Sequence, residues 1–250
     1  MFQSRQRIIL ELLKKYKYLR ISKMAEILHY STSTVRRDLI ALEQQNLVQR
    51  VNGGALLIES KFTEAPVDIK KRIHLDEKRH IGALASNLIN KNQSIFIDGS
   101  STTFNLCQFL DPSLNLTLYT TNIDTAGYLI RNYSNFSVTI FGGELYDFEA
   151  GGNQTIVQLQ QHVFDIAFLS CRGLDKKFGI TDRLEKEAIL KRTLENHAKK
   201  IVLLIDDSKF DEVLNFKDLS LSMVDVVVTN KKPSNEYLNL FRSKHIKVMF

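Results

Sequence analysis

The stretch Arg20-Ile21-Ser22-Lys23-Met24-Ala25-Glu26-Ile27-Leu28-His29-Tyr30-Ser31-Thr32-Ser33-Thr34-Val35-Arg36-Arg37-Asp38-Leu39 decides the architecture of the first quarter of the chain. Ile21, Met24, Ala25 and Leu28 recur at helical spacing. His29-Tyr30-Ser31-Thr32 interrupts them with residues that favour turns and N-caps. Val35, Leu39 and Leu42 then resume the helical period. Upstream, Ile9, Leu12, Leu13 and Tyr16 predict a first helix over about residues 4–17. Downstream, Leu47–Val51 and Ala55–Ile58 are apolar runs joined by Asn52-Gly53-Gly54, the pattern of a hairpin. Three helices and a hairpin predict a winged helix-turn-helix.

The charge is distributed as such a module requires. Residues 1–60 carry ten Lys/Arg against five Asp/Glu, while the other 190 residues carry 24 against 23. Most of the net charge of +6 therefore sits at the end that would meet a polyanion. Charge alone would also suit an anionic membrane. A hydrophobic fraction of 44% and a charged fraction of 25% mark a globular chain of 250 residues, long enough for a small and a larger domain. No apolar run approaches a membrane span, and no apolar core of a signal peptide follows Met1. Cys107 and Cys171 lack metal-ligand or redox spacing, in keeping with a reducing cytoplasm, and nothing requires a metal or cofactor.

On the third helix, one face is apolar. Ser31, Thr32, Ser33, Thr34, Arg36 and Arg37 are left to look outward. Helix-turn-helix geometry sends such N-terminal turns into the major groove, where hydroxyls permit close approach and arginine pairs with guanine or phosphate. Arg5, Arg7, Lys23 and Arg50 are candidate phosphate contacts, and Gly53-Gly54 suits a tight wing tip. The ordinary alternative makes Ser31 or Thr32 a helix cap and pairs Arg36 with a nearby acid.

Residues 59–75 read as a linker between a DNA-binding domain over 1–58 and an effector domain over 76–250. In the latter, apolar runs at Ser94–Asp98, Leu116–Thr120, Phe136–Phe141, Asp165–Ser170, Ile201–Asp206, Val224–Thr229 and Ile246–Phe250 alternate with helical segments. This alternation predicts a doubly wound, mainly parallel α/β sheet of Rossmann-like type. Ligands in such sheets bind beyond the C-terminal strand ends. There the sequence places Asp98-Gly99-Ser100-Ser101-Thr102-Thr103, Thr121-Asn122, Gly142-Gly143 and Asp206-Asp207-Ser208-Lys209. A glycine and four hydroxyls at a strand-to-helix turn suit a phosphate. Asp98, Asn122 or Asp206 would bond sugar hydroxyls, Lys191 or Lys209 would neutralise a phosphate, and Gly142-Gly143 would admit a ligand to the backbone. Each also has a plain structural reading: Gly142-Gly143 as a turn, Asp206 as a cap, Lys191 as a solvated helix face.

These residues carry a resemblance. Ser33-Thr34-Val35-Arg36-Arg37-Asp38-Leu39, with Leu42-Glu43, Leu47-Val48-Gln49-Arg50 and Gly53-Gly54-Ala55, resembles the N-terminal signature of the DeoR family of bacterial sugar-metabolism regulators. The resemblance continues through Asp98–Thr103, Thr121-Asn122, Gly142-Gly143, Asp165–Phe168, Gly179-Ile180-Thr181, Glu187 with Lys191-Arg192, and Asp206 with Ser208–Phe210. It implies an effector domain like ribose-5-phosphate isomerase that binds a phosphorylated sugar. Tyr30-Ser31 stands where the family usually has Val-Ser, and Ser170-Cys171-Arg172-Gly173 replaces a more glycine-rich stretch, making Arg172 a candidate anion contact.

The expected function is repression of a carbohydrate-catabolism operon, with double-stranded operator DNA and a phosphorylated sugar as partners and a homo-oligomer, dimer or tetramer, as the reader of a symmetric site. The protein is expected not to be an enzyme. The competing reading is a sugar-phosphate isomerase with a DNA-binding appendage, using Asp98, Glu187, Lys191 and Lys209. The six histidines are scattered and give it no support. An activator on the same fold is a third reading.

Overall fold

The computed structural model describes residues 4–16, 18–44, 47–51, 53–57, 74–146 and 148–250. The chain divides into two compact units, Met1–Ile73 and His74–Phe250. The expected linker lies, up to residue 73, outside the described residues, and the last two residues assigned to it open the second unit.

In the first unit, α1 (Ser4–Tyr16), β1 (Tyr18–Arg20), α2 (Ile21–Leu28) and α3 (Thr32–Gln44) precede the hairpin β2 (Val48–Val51) and β3 (Gly54–Leu57). Ile9, Leu13, Met24, Ala25, Val35, Leu39 and Leu42 meet Val48 and Ala55 in one core. The apolar periodicity thus packs as expected, except that Tyr16 stays 49% exposed. β1 is a third strand that the sequence reading leaves out. It pairs antiparallel with β3, giving the order β1-β3-β2. The turn between α2 and α3 is closed at His29 in the left-handed region, φ 54°, where Tyr30 N–H reaches the carbonyl of Ala25 at 3.0 Å.

The second unit begins with α4 (Leu75–Ser86). A seven-stranded parallel sheet follows, built from β4 (Ser94–Ile97), β5 (Thr117–Thr120), β6 (Ser137–Ile140), β9 (Ile166–Leu169), β12 (Ile201–Leu204), β14 (Val226–Val228) and β15 (Lys247–Met249). Its order is β15-β14-β12-β9-β4-β5-β6. Alternate residues of each strand enter different cores. Ile95, Ile97, Phe168 and Leu204 pack with Ile81 and Ala85 of α4 and with Leu106 of α5 (Ser101–Leu106). Phe96, Leu169, Leu203 and Val227 pack with Leu159 of α7 (Asn153–Gln160), Leu190 of α8 (Glu185–Leu194) and Phe241 of α9 (Asn235–Ser243). Helices on both faces explain the continuous apolar runs of the strands. The doubly wound expectation holds, with α6 (Ile123–Asn132) following β5.

Two antiparallel additions were not expected. One is the hairpin β7 (Glu144–Tyr146) and β8 (Glu149–Gly151), the other a sheet of β10 (Gly173–Asp175), β11 (Gly179–Asp182) and β13 (Phe216–Lys217) in the order β10-β11-β13. No helix among the described residues is long and apolar enough to cross a membrane.

Candidate functional site

Helix α3 starts on a knot of hydroxyls. Ser31 Oγ accepts the Thr34 N–H at 3.2 Å and lies 2.8 Å from both Ser33 Oγ and Thr34 Oγ1. Ser31 is therefore a cap, as in the ordinary reading. Thr32, Ser33, Arg36 and Arg37 are exposed, and Thr34 is half-buried. Ser33, Arg36, Arg37 and the exposed Ile40 share one stripe at i, i+3, i+4 and i+7, opposite the buried Val35, Leu39 and Leu42. Among the described residues no hydrogen bond or ion pair holds Arg36 or Arg37. The local pairing weighed for Arg36 is absent there.

Two expected phosphate contacts, Arg5 and the exposed Arg50, are paired with acids of their own unit. The Arg5 guanidinium forms a fork on buried Asp38, through Nε to Oδ2 and through Nη2 to Oδ1 at 2.9 Å, and lies 4.8 Å from the centre of the Tyr30 ring. Asp38, the acid within the arginine-rich signature, thus ties α3 to α1. Arg50 is held by Glu43, which accepts its N–H at 2.9 Å and its Nε at 2.6 Å. Despite partial burial pushing it up, these bonds hold the Glu43 carboxyl below its ordinary range. Arg7 with Glu11 (3.6 Å) and Lys23 with Glu26 (2.9 Å) are exposed pairs, weak enough to exchange for a phosphate. At the wing, Gly53 takes φ 78°, and a Cβ on Gly54 would lie 2.4 Å from the Tyr18 ring. The first glycine makes the turn and the second admits β1.

In the second unit the strand order reverses between β4 and β9, the kind of switch point beyond whose C-terminal strand ends open α/β sheets bind ligands. Asp98, 3% exposed, spans it: Oδ1 accepts Ser100 N–H at 2.9 Å and Thr103 Oγ1–H at 2.6 Å, and Oδ2 accepts Ser170 N–H at 2.7 Å. Ser100 caps α5 by accepting Thr103 N–H at 3.1 Å. Thr102 and Thr103 are buried, so Gly99, Ser100 and Ser101 form the half-exposed lip of the turn. Thr121 donates to Glu149 Oε1 at 2.9 Å, and a Cβ on Gly99 would lie 2.4 Å from the same carboxyl. Glu149, which sequence reasoning missed, thus joins the ends of β4 and β5; the hairpin that carries it left no period-2 signal. Asn122 accepts Thr125 N–H at 2.9 Å as the cap of α6. Gly142 accepts bonds from Thr155 and Gln158 of α7, and a Cβ on Gly143 would lie 2.4 Å from the Gly151 carbonyl. The close approach at Gly143 is made by the protein itself, while a Cβ on Gly142 would meet open space.

Lys191 is not a solvated helix face. Its side chain is buried with that of Asp182, at the end of β11, and that of Asp218, after β13. Nζ bonds Asp182 and lies 3.1 Å from Asp218 Oδ2. Burial raises the Asp218 carboxyl well above its usual range, while Lys191 keeps Asp182 low against the same penalty. Burial, with Asp182 nearby, pushes Glu187 up to about 8.

Cations gather at the end of β12. Asp206 is fully buried; its Oδ1 accepts Ser208 N–H at 3.1 Å, and its Oδ2 has no hydrogen-bond partner among the described residues. Lys78 on α4 is 5% exposed, and burial lowers its ammonium to about 8. Asp206, Lys209 and Arg172 all lie within its electrostatic reach. Arg172 follows β9 and Lys209 follows β12. Lys78 is a second residue that the sequence reading missed, because a lysine in a first helical turn usually faces water.

The fold and these sites define a class: a winged helix-turn-helix joined to an α/β sensor unit. A model of the DeoR-like helix-turn-helix domain matches residues 5–61, and a model of the DeoR C terminal sensor domain matches residues 73–231. The chain is 31% identical to the HTH-type transcriptional regulator GolR of Listeria innocua over 98% of this chain and 96% of that one. It is 29% identical to the glycerol-3-phosphate regulon repressor of Escherichia coli over 96% and 95%. Ribose 5-phosphate isomerase A from Methanocaldococcus jannaschii aligns over 55% of each chain at 15% identity and a TM-score of 0.41. The protein belongs to the DeoR family, and it is a DNA-binding transcriptional regulator.

Proposed function

We propose that the protein represses a carbohydrate-catabolism operon and that a phosphorylated sugar, bound beyond the ends of β9 and β12, controls its hold on operator DNA. The observation that carries this reading is the buried Asp206 Oδ2, an acceptor without a partner among the described residues, which shares the surroundings of Lys78 with the cationic Lys209 and Arg172. A molecule bearing both hydroxyls and a phosphate matches that pair of demands. The printed name of the Escherichia coli relative, a repressor tied to glycerol 3-phosphate, supports the same ligand class. Ser33, Arg36 and Arg37 would read the major groove, with Thr32 and Arg50 on phosphates. A symmetric operator calls for a homo-oligomer, and the work is done where the DNA is, in the cytoplasm.

Mobility-shift assays on the chain's own promoter region test this, with a panel of sugar phosphates added. Specific binding that a phosphosugar releases is expected. Normal binding by an Arg36→Ala, Arg37→Ala double variant would overturn the reading helix. The same panel checks for turnover, which is not expected because Lys191 is held between two carboxyls. Reporter expression in a deletion strain should rise; a fall would make the protein an activator.

A further inference from the structure

We propose that strand β6 and the outer flank of α6 form the contact between two copies of this chain, with β6 pairing antiparallel to its mate about a two-fold axis. This names the surface of the homo-oligomer proposed above and rests on that reading. β6 is an edge of the seven-stranded sheet, paired among the described residues with β5 alone. Ser137 N–H reaches the Leu116 carbonyl at 3.0 Å and Phe141 N–H the Thr120 carbonyl at 2.9 Å, so alternate residues face β5. The N–H and C=O groups of Val138 and Ile140 therefore point off the sheet. Soluble proteins blunt such an edge with charge, proline or a bulge. The other edge, β15, is blunted: it opens on the exposed Lys247, three residues after Lys244. β6 has no such guard, since no charged residue or proline stands between Arg131 and Glu144.

The helix beside the strand is left open on the same side. Thr125, Ala126 and Leu129 of α6 are buried, and Tyr128 on one flank meets Phe104 of α5 with 5.3 Å between ring centres. Ile123 and Ile130, on one stripe at i and i+7, lie on the opposite flank, away from α5 and toward the open edge. They are 40% and 63% exposed, and Ile140, on the α6 face of the strand like Val138, is 42% exposed. A two-fold axis normal to the sheet brings this surface against itself. Pairing Val138 with Ile140 of the second copy bonds all four outward N–H groups to the four outward carbonyls. It also sets the two Thr139 side chains about 5 Å apart on the other face. The same axis lays α6 antiparallel to its mate, with Ile123 of each copy against Ile130 of the other. Between them Arg131 folds back over Gly127, and the axis sets it opposite Asp124 of the second copy, a charge pair that favours this arrangement. An unrelated partner would need an uncharged strand edge and an apolar helix flank at matching spacing; a second copy supplies both.

The test uses the full chain. Sedimentation equilibrium is read on the wild type, Ile130→Lys and Ile140→Pro, with circular dichroism to check that each variant folds. Ile130→Lys puts a charge where two apolar flanks meet, and Ile140→Pro removes an N–H that only the second copy uses. Each should halve the mass of the assembly or raise its dissociation constant at least about tenfold. Thr139→Cys reads the register. The native Cys107 and Cys171 are buried, so on mild oxidation only the variant should form a disulfide-linked dimer. A wild type that stays monomeric at every concentration sinks the homo-oligomer reading and this inference with it. A wild type that assembles, with either folded variant assembling as tightly, sinks this inference alone. Dissociated variants without a Thr139→Cys cross-link overturn the strand pairing. Should Ile140→Pro misfold, Ile130→Lys and the cross-link decide.

Discussion

Asp98 accepts three hydrogen bonds from within its own domain, so Asp98→Asn would set an amide NH2 against the N–H of Ser170 or Ser100. The expected loss is about 1–3 kcal/mol, read from denaturant unfolding of the full chain. Asp38→Ala should lower both the melting temperature of the DNA-binding unit and its affinity for DNA, because it frees Arg5 and unties α1 from α3. Glu187 gives a signed pH dependence. Its folded pKa, about 8, lies above the ordinary 4.5, so the folded state holds the extra proton between these values. That contribution is complete below about pH 4.5 and is lost as pH rises through about 8. Glu187→Gln should flatten the decline in melting temperature from pH 7 to 9; an unchanged slope refutes the assignment. At this scale the sequence is least legible. It displays Asp98, Arg5 and Lys191 as groups fit to meet a ligand, and only packing reveals that Ser170, Asp38 and Asp182 already occupy them.

The elements were more legible, and their physics explains which ones. Strands buried on both faces, such as Ile201–Leu204, are continuous apolar runs bounded by polar turns, and a short run of that kind stands out. The strands β1, β7, β8, β10 and β13 have two or three residues each, too few to show a period of two. β1 also hides behind Tyr18-Leu19-Arg20, which reads as the lead-in to a helix. The side sheet that carries Asp182 and the hairpin that carries Glu149 were therefore invisible, and with them two walls of the candidate site. Gly54 records the presence of β1 indirectly. Gly54→Ala should cost about 1–3 kcal/mol through overpacking against Tyr18 and the Leu19 carbonyl, by thermal or denaturant unfolding. A neutral result would show that β1 can withdraw.

For the molecule as a whole, the concentration of positive charge in the first 60 residues predicts DNA binding that weakens steeply with salt. If Arg36 and Arg37 each neutralise one phosphate, their double alanine variant should reduce the slope of log affinity against log salt by about 2. A variant that loses affinity with the slope intact would assign both to base edges instead.

Strand β1 also bears on how the DNA-binding unit would move. It sits between α1 and α2 in the chain, pairs with β3, and is followed by Ile21, whose N–H bonds the Gly53 carbonyl at 2.8 Å. Wing and reading helix are thereby welded into one body over a single core. Under the effector control and homo-oligomer proposed above, this body would move as a rigid stylus, and release from DNA would come from the spacing between copies rather than from a reshaped α3.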